Sequence, residues 1–223
     1  MGVTIFYKGR LQDPGSASLL VLELQLACQK LGWPYYLIGE RVIGIAEYHT
    51  YETDANDYVH TIIETEPLDD QWQGILIQPP ECESLWLTFN RSGQLIVYEE
   101  PFEADTPGRY HAREQLWCKT QFGTVETHIA ICDLLRQVEP YMAEFKVIDE
   151  GGYWETQDRD GLAVALYRIH RALDLLTRPE NLKRLGELIG EEIEADDFEI
   201  GKRLEHRLPL WRDGERGLSA NEN

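Results

Sequence analysis

Residues 85–98 have the sequence LWLTFNRSGQLIVY, in which two runs of apolar, β-branched and aromatic residues flank Asn90-Arg91-Ser92-Gly93. Such runs favour β-strands, and a short polar loop that contains glycine is typical of a hairpin. The stretch therefore predicts two antiparallel strands joined by a four-residue turn. It indicates a sheet in which antiparallel pairing dominates.

The segments around this hairpin alternate between strand and helix patterns. Strands are predicted at residues 3–7, 35–38, 42–45, 58–65, 74–77 and 145–148, with a connection at Gly39-Glu40. Helices are predicted after the turn at 13–16, from Thr124 to about Met142, and from about Leu162 to Leu176. In the first helix we expect Leu19, Leu22, Leu26 and Leu31 to form the buried stripe, with Gly32 ending it. The order predicts an α+β fold, a two-layer sandwich with helices packed on one face of a mostly antiparallel sheet.

The chain length of 223 residues suits one domain with an appendage, or two small domains. We expect an α+β domain over residues 1–177 and a helical appendage over residues 178–195. Over residues 196–223 the periodic pattern ends, and we expect an acidic-to-polar tail that is partly disordered.

Charge and cysteine content restrict the partners and the compartment. The net charge is −19, and no lysine or arginine lies between Arg41 and Arg91, so nucleic acid is not expected as a ligand. The acidic surface would favour a cation or a basic partner. Alternatively, it only maintains the solubility of the protein. The four cysteines lack C-x-x-C spacing, no apolar run approaches the roughly 20 residues of a membrane span, and no signal-peptide pattern opens the chain. We therefore expect a cytoplasmic protein with reduced thiols and no membrane contact.

Residues 149–158, DEGGYWETQD, connect a predicted strand to a predicted helix, which is a common place for functional side chains. Asp149 is a candidate metal ligand and Glu150 a candidate catalytic acid, although adjacent residues of a strand face opposite sides. Tyr153 and Trp154 are candidate ligand-binding aromatics or, alternatively, packing residues. Asp158 suits the N-cap of the next helix.

Two further groups could supply metal ligands or a base. His128 lies in the first turn of the helix capped by Thr124, where the helix N-terminus favours a neutral imidazole that acts as base or ligand. Cys132 follows four residues later on the same helical face, a spacing that suits two zinc ligands; a packed histidine is the alternative. Glu81 and Glu83 would point to the same side of an extended chain and could bind a divalent cation, or they could simply be exposed charges.

The segment Lys119-Thr120-Gln121 supplies a cation, a hydroxyl and an amide directly before that helix. A helix N-terminus with such neighbours can bind an anionic group, so these three residues are candidate ligand-binding residues. Glycine-rich phosphate loops, the G-x-S-x-G elbow and H-E-x-x-H are all missing from the sequence, which lowers the expectation for the enzymes that use them.

Residues 119–122, His128 and residues 149–154 together resemble a group of bacterial hypothetical proteins with no assigned activity. In that group a T-Q-F segment, a helix histidine and a D-E-G-x-Y-W segment occur together. The resemblance includes residues 80–83 and the following hairpin, and it covers residues 3–176. It implies a bacterial cytoplasmic protein, and it implies no reaction.

Three functions remain open at this point. The first is a non-catalytic module that binds a small ligand or a protein partner through its acidic surface and the loop at residues 149–158. The second is a metal-assisted hydrolase with a divalent metal as cofactor, held by Glu81, Glu83 and Asp149 or Glu150, with His128 as ligand or general base. The third is a structural protein that forms a homodimer and has no small-molecule site.

Overall fold

The computed structural model describes residues 3–53, 59–101, 108–176 and 178, and within them eight strands form two sheets. The first sheet has the strand order β7-β1-β8, all antiparallel, with β1 at Thr4–Leu11, β7 at Leu116–Lys119 and β8 at Met142–Asp149. The second has the order β4-β3-β2-β6-β5, with β2 at Tyr35–Thr53, β3 at Val59–Ile77, β4 at Leu85–Phe89, β5 at Val97–Glu99 and β6 at Arg109–Arg113. Its pairs are antiparallel except β2–β6.

Four α-helices accompany the sheets: α1 at Ala17–Leu31, α2 at Val125–Val138, α3 at Tyr153–Thr156 and α4 at Arg159–Leu176. Helix α1 packs on β3 and α2, while α3 packs on β8. The α+β sandwich with mostly antiparallel pairing is confirmed, and the strands divide between two sheets. The helix and tail predicted beyond residue 178 lie outside the described residues.

A continuous hydrophobic core joins the two sheets to α1 and α2. Its fully buried members include Ile5 and Tyr7 of β1, Leu87 of β4 and Leu135 of α2. The Tyr7 hydroxyl also links the sheets, because it accepts a hydrogen bond from Trp86 N (3.0 Å) and donates one to Trp86 O (2.8 Å). A smaller cluster, Val3 with Leu162 and Leu166, attaches α4.

The buried face of α1 differs from the predicted one. Leu19, Leu22, Leu26 and Leu31 are 54%, 52%, 49% and 41% exposed, whereas Ala17, Leu20, Leu24 and Cys28 are buried. The sequence ASLLVLELQLACQKL carries two apolar stripes at helical spacing, so periodicity alone admits either face. The prediction of the leucine stripe was wrong because packing against β3 and α2 selects the other stripe.

Strands β2 and β3 form one long hairpin that is paired from Tyr35–Ile77 to Thr53–Val59. The predicted break at Gly39-Glu40 is wrong, and the predicted strands at 58–65 and 74–77 belong to one strand from Val59. Pro67 does not interrupt β3, because β4 pairs only with Gln73–Ile77 and leaves Pro67 with a single neighbouring strand. The turn predicted at residues 90–93 is confirmed, since Asn90 N donates to Gln94 O and Ile96 N donates to Thr88 O. The strands beside it do not pair along their length: Phe89 and Leu95 form an isolated bridge, and β5 pairs with β6 instead of β4.

Candidate functional site

Three of the predicted site residues meet in a buried cluster between the start of α2 and the end of β8. The His128 ring lies between Thr120 and Asp149, with Nδ1 2.7 Å from Thr120 Oγ1 and Nε2 3.1 Å from Asp149 Oδ2. The side chains of His128 and Asp149 are fully buried. Thr124 caps α2 by accepting a hydrogen bond from Thr127 N, as predicted, and so sets where the first turn presents His128.

The Asp149 carboxylate is held by the turn that follows it. Gly151 N donates to Oδ1 (2.7 Å) and Trp154 N donates to Oδ2 (2.9 Å). Burial raises the pKa of Asp149, but the hydrogen bond and charge of His128 and the two amide donors outweigh burial, so this pKa lies below its ordinary value. Asp149 is therefore an ionised, fully hydrogen-bonded carboxylate in the core.

Cys132 completes this cluster, which we call the His128 cluster: His128, Cys132, Asp149 and Thr120. The ligand atoms of the first three lie within 4.8 Å of one another, and all three residues are buried. Burial, and then the charge of Asp149, raise the pKa of the Cys132 thiol far above its ordinary value. Without a metal ion the thiol is therefore protonated and is not a nucleophile.

The acids Glu81 and Glu83 occupy different surroundings. Glu81 has a φ of 54° in an exposed turn, so the premise that residues 81–83 are extended, with both acids on one side, is wrong. Glu83 pairs with Lys119, since its Oε2 accepts from Lys119 N (3.1 Å) and its Oε1 lies 3.3 Å from Lys119 Nζ. Neither glutamate belongs to a group of three close metal-ligand atoms among the described residues.

The remaining predicted residues are involved in packing and hydrogen bonds. Glu150 is exposed and accepts a hydrogen bond from Thr4 N (3.0 Å). The Gln121 carbonyl lies 2.6 Å from His170 Nε2. Tyr153 and Trp154 are half-buried and contact the core, with the Arg136 guanidinium 5.6 Å and 5.0 Å from their ring centroids.

A second cluster was not predicted: Glu47 and His49 of β2 with His111 of β6, which we call the Glu47 cluster. Their ligand atoms lie within 4.8 Å of one another. The two imidazole rings meet edge to face with centroids 4.5 Å apart, and His49 Nε2 lies 3.9 Å from Glu47 Oε2. His49 Nε2 is buried and has no hydrogen-bond partner within the described part of the chain, while the His49 side chain as a whole is 28% exposed.

The parallel pairing of β2 with β6 brings these residues together. Glu47 lies opposite His111, and His49 follows on the same face of β2 because strand side chains alternate. The pairing requires glycine at position 44, because a Cβ there would lie 1.9 Å from Gly108 O. The E-x-H spacing of residues 47 and 49 was the only local signal, and the position of His111 depends on the tertiary pairing.

Arg109 orients the carboxylate of this cluster. It lies two residues before His111 on the same face of β6, and its Nη1 donates to Glu47 Oε1. The other carboxylate oxygen, Oε2, is the one nearest His49 Nε2. Arg109 therefore holds one oxygen of Glu47, while the other oxygen lies on the side of His49.

Comparison of the chain with protein-family models, with curated proteins and with solved structures finds no match. Among the described residues, no helix is long and apolar enough to cross a membrane. The interpretation therefore depends on the two clusters and their geometry.

Proposed function

We propose that the protein is a small-ligand-binding module whose ligand is a divalent transition-metal ion, held by Glu47, His49 and His111. The observation that carries this proposal is the buried His49 Nε2, which has no hydrogen-bond partner among the described residues and lies beside a second imidazole and a carboxylate oxygen. A buried nitrogen without a partner costs about 1–3 kcal/mol. Coordination of an ion would remove that cost.

The donor set supports a transition metal over magnesium or calcium. Two imidazoles and one carboxylate suit zinc, iron, nickel or copper, whereas magnesium and calcium prefer oxygen ligands only. Arg109 supports the carboxylate in the way that outer hydrogen bonds hold metal-binding acids. Because His49 is partly exposed, an ion can reach the cluster in the folded protein.

The test is a titration of the metal-free protein with Zn²⁺, Co²⁺, Ni²⁺, Mg²⁺ and Ca²⁺, followed by thermal unfolding. At 100 times Kd an ion adds about 2.7 kcal/mol to the free energy of unfolding. For a chain of this size, that gain raises Tm by about 5–10 °C. We expect this increase with the transition metals and none with Mg²⁺ or Ca²⁺.

The control variants isolate the Glu47 cluster. H49A/H111A should lose one equivalent of bound metal, and E47Q should bind more weakly although its amide oxygen still accepts from Arg109. H170A removes a histidine that contacts the Gln121 carbonyl instead, and it should bind as the wild type does. Unchanged zinc binding in H49A/H111A would refute the proposal.

Metal-assisted hydrolysis at the same ion is the second candidate function. Three protein donors leave coordination positions open for water, as in catalytic zinc sites. This version replaces the earlier ligand set of Glu81, Glu83 and Asp149 or Glu150. Its test is hydrolysis of ester and phosphoester substrates by the zinc-loaded protein, with H49A/H111A as the inactive control.

A homodimer is the alternative that involves no small molecule. The exposed stripe of Leu19, Leu22 and Leu26 on α1 supports it, because a contiguous apolar surface favours protein contacts. Sedimentation of the wild type at micromolar concentration, beside L22K/L26K, decides between monomer and dimer.

A cytoplasmic location is supported by the four buried cysteines, all of which are free thiols.

A further inference from the structure

We propose that the His128 cluster is a second metal site, in which His128, Cys132 and Asp149 supply three donors to a zinc ion. This inference does not depend on the ion proposed at the Glu47 cluster. All three donors are buried and their ligand atoms lie within 4.8 Å of one another. Cys132 follows His128 by one helical turn, and Asp149 ends β8, so an ion here would link α2 to the first sheet.

The spacing of the donors is close to that of zinc ligands. Ligand atoms about 2.0–2.2 Å from a tetrahedral zinc ion lie about 3.4 Å apart. His128 Nε2 and Asp149 Oδ2 are 3.1 Å apart, which is slightly closer than two ligand atoms of one zinc ion. A small increase in this distance would therefore make space for the ion between them. Glycine at position 151 allows the backbone to pass close to the donors. A side chain there would place its Cβ 3.1 Å from both Asp149 Oδ1 and His128 Cε1, which is tighter than an ordinary contact.

The outer hydrogen bonds are those that a bound ion would require. Zinc-bound histidines donate their second ring N–H to an oxygen, and zinc-bound carboxylates are themselves hydrogen-bonded. His128 Nδ1 lies 2.7 Å from Thr120 Oγ1, while Asp149 accepts from the amides of Gly151 and Trp154. The two ligands are therefore oriented before any ion binds.

The Thr120 hydroxyl allows both the metal-free and the metal-bound state. Without metal, the Asp149 carboxylate can only accept, so His128 Nε2–H donates to it, and Thr120 Oγ1 can either donate to or accept from Nδ1 at 2.7 Å. With metal, the imidazole proton lies on Nδ1 and is donated to Thr120 Oγ1, whose own proton turns toward Val3 O at 3.2 Å. Val3 O already accepts from Thr120 N, so neither state leaves it unpaired.

Charge balance favours a divalent ion with a sulfur ligand. The Asp149 carboxylate and a Cys132 thiolate together carry two negative charges, which Zn²⁺ neutralises in a site without solvent. Coordination replaces the proton of the Cys132 thiol, and that proton passes to solvent. A thiolate and an imidazole together select zinc over magnesium or calcium.

The test uses Co²⁺ as a spectroscopic probe, because only a site with a thiolate ligand gives a sulfur-to-cobalt charge-transfer absorption. The full chain is unfolded, reduced and refolded with Co²⁺, since the donors are buried, and Zn²⁺ is then added to displace the probe. We expect one thiolate-bound equivalent in the wild type. The band should persist in H49A/H111A, because the Glu47 cluster contains no cysteine.

Two variants assign the thiol and the outer contact. C132A should lose the band, whereas C118A, which removes another buried thiol, should keep it. T120V removes the hydroxyl that contacts Nδ1 and should weaken zinc binding by about 10–100-fold without changing the number of sites. No charge-transfer band in the refolded wild type, or a band that C118A rather than C132A abolishes, would overturn the proposal.

Discussion

Replacement of Asp149 by alanine should destabilise the metal-free protein more than a change at any neighbouring acid. The fully buried carboxylate accepts hydrogen bonds from His128 Nε2 (3.1 Å), Gly151 N (2.7 Å) and Trp154 N (2.9 Å). Each buried donor left without an acceptor costs about 1–3 kcal/mol, which gives about 3–9 kcal/mol for three donors before the turn relaxes. Relaxation of the turn recovers part of this cost, and losses above about 4–5 kcal/mol are exceptional for one substitution, so we expect D149A to cost about 3–5 kcal/mol.

Glu150 provides the matched control because it is the next residue and carries the same type of group. Its carboxylate is exposed and accepts from the backbone of Thr4 at 3.0 Å. E150A should therefore cost about 0.5–1.5 kcal/mol, the net value of one hydrogen bond. Both variants remove one negative charge, so the difference between them reports the buried hydrogen bonds.

The assay is urea unfolding at pH 7 with a chelator and a reductant, followed by tryptophan fluorescence. Thermal unfolding should show D149A about 6–20 °C below the wild type, at about 2–4 °C per kcal/mol for a chain of this size. A loss in D149A no larger than that in E150A would refute the claim that Asp149 is the acceptor holding this turn.

Three other predictions follow from burial. L24A should cost about 2–5 kcal/mol in the free energy of unfolding, because Leu24 is fully buried, whereas L22A on the exposed face should change it by about 0.5 kcal/mol or less; urea unfolding compares them. The folded pKa of Asp149 lies below its ordinary 3.8, so its stabilisation is complete above that value and is lost as the pH falls through the folded-state pKa. Acid unfolding of the metal-free wild type should therefore show a component below pH 3.8 that D149N lacks. Burial raises the pKa of Cys28 to about 11 and that of Cys82 to about 12, so a thiol reagent at pH 8 should react with both only after unfolding.

Local sequence signals were sufficient where the partners are neighbours in the chain. Thr124 caps α2 by accepting from Thr127 N, and Asp158 caps α4 by accepting from the amides of Asp160 and Gly161. The turn at residues 90–93 closes through bonds between residues a few positions apart. In each case the residue types that suit the turn or cap indicate the structure directly.

Patterns that admit two solutions were not sufficient. Helix α1 has two apolar stripes, and only contact with β3 and α2 determines that Leu20 and Leu24 face the core. Similarly, a break was predicted at Gly39-Glu40 and two separate strands at residues 58–65 and 74–77, but the long pairing of β2 with β3 runs through all of these positions. Tertiary packing outweighed the local preference at each of these positions.

In the candidate sites, too, residue type indicated the chemistry, and tertiary packing decided which residues meet. The chemistry of His128, Thr120 and Asp149 was evident from residue type, but their contact depends on how α2 lies against the end of β8. The Glu47 cluster was missed because His111 reaches Glu47 through the parallel pairing of β2 with β6, two strands that are separated in the chain by β3, β4 and β5.

The sequence by itself determined the α+β class, the turn at residues 90–93, the caps of α2 and α4, and the acids and histidines from which a site could be built. Only the tertiary structure decided which of these side chains meet, which face of α1 is buried, and that the strands divide between two sheets. The physical reason is that caps and turns are satisfied within a few residues, whereas buried polar clusters and helix faces depend on groups far apart in the chain that share the same volume.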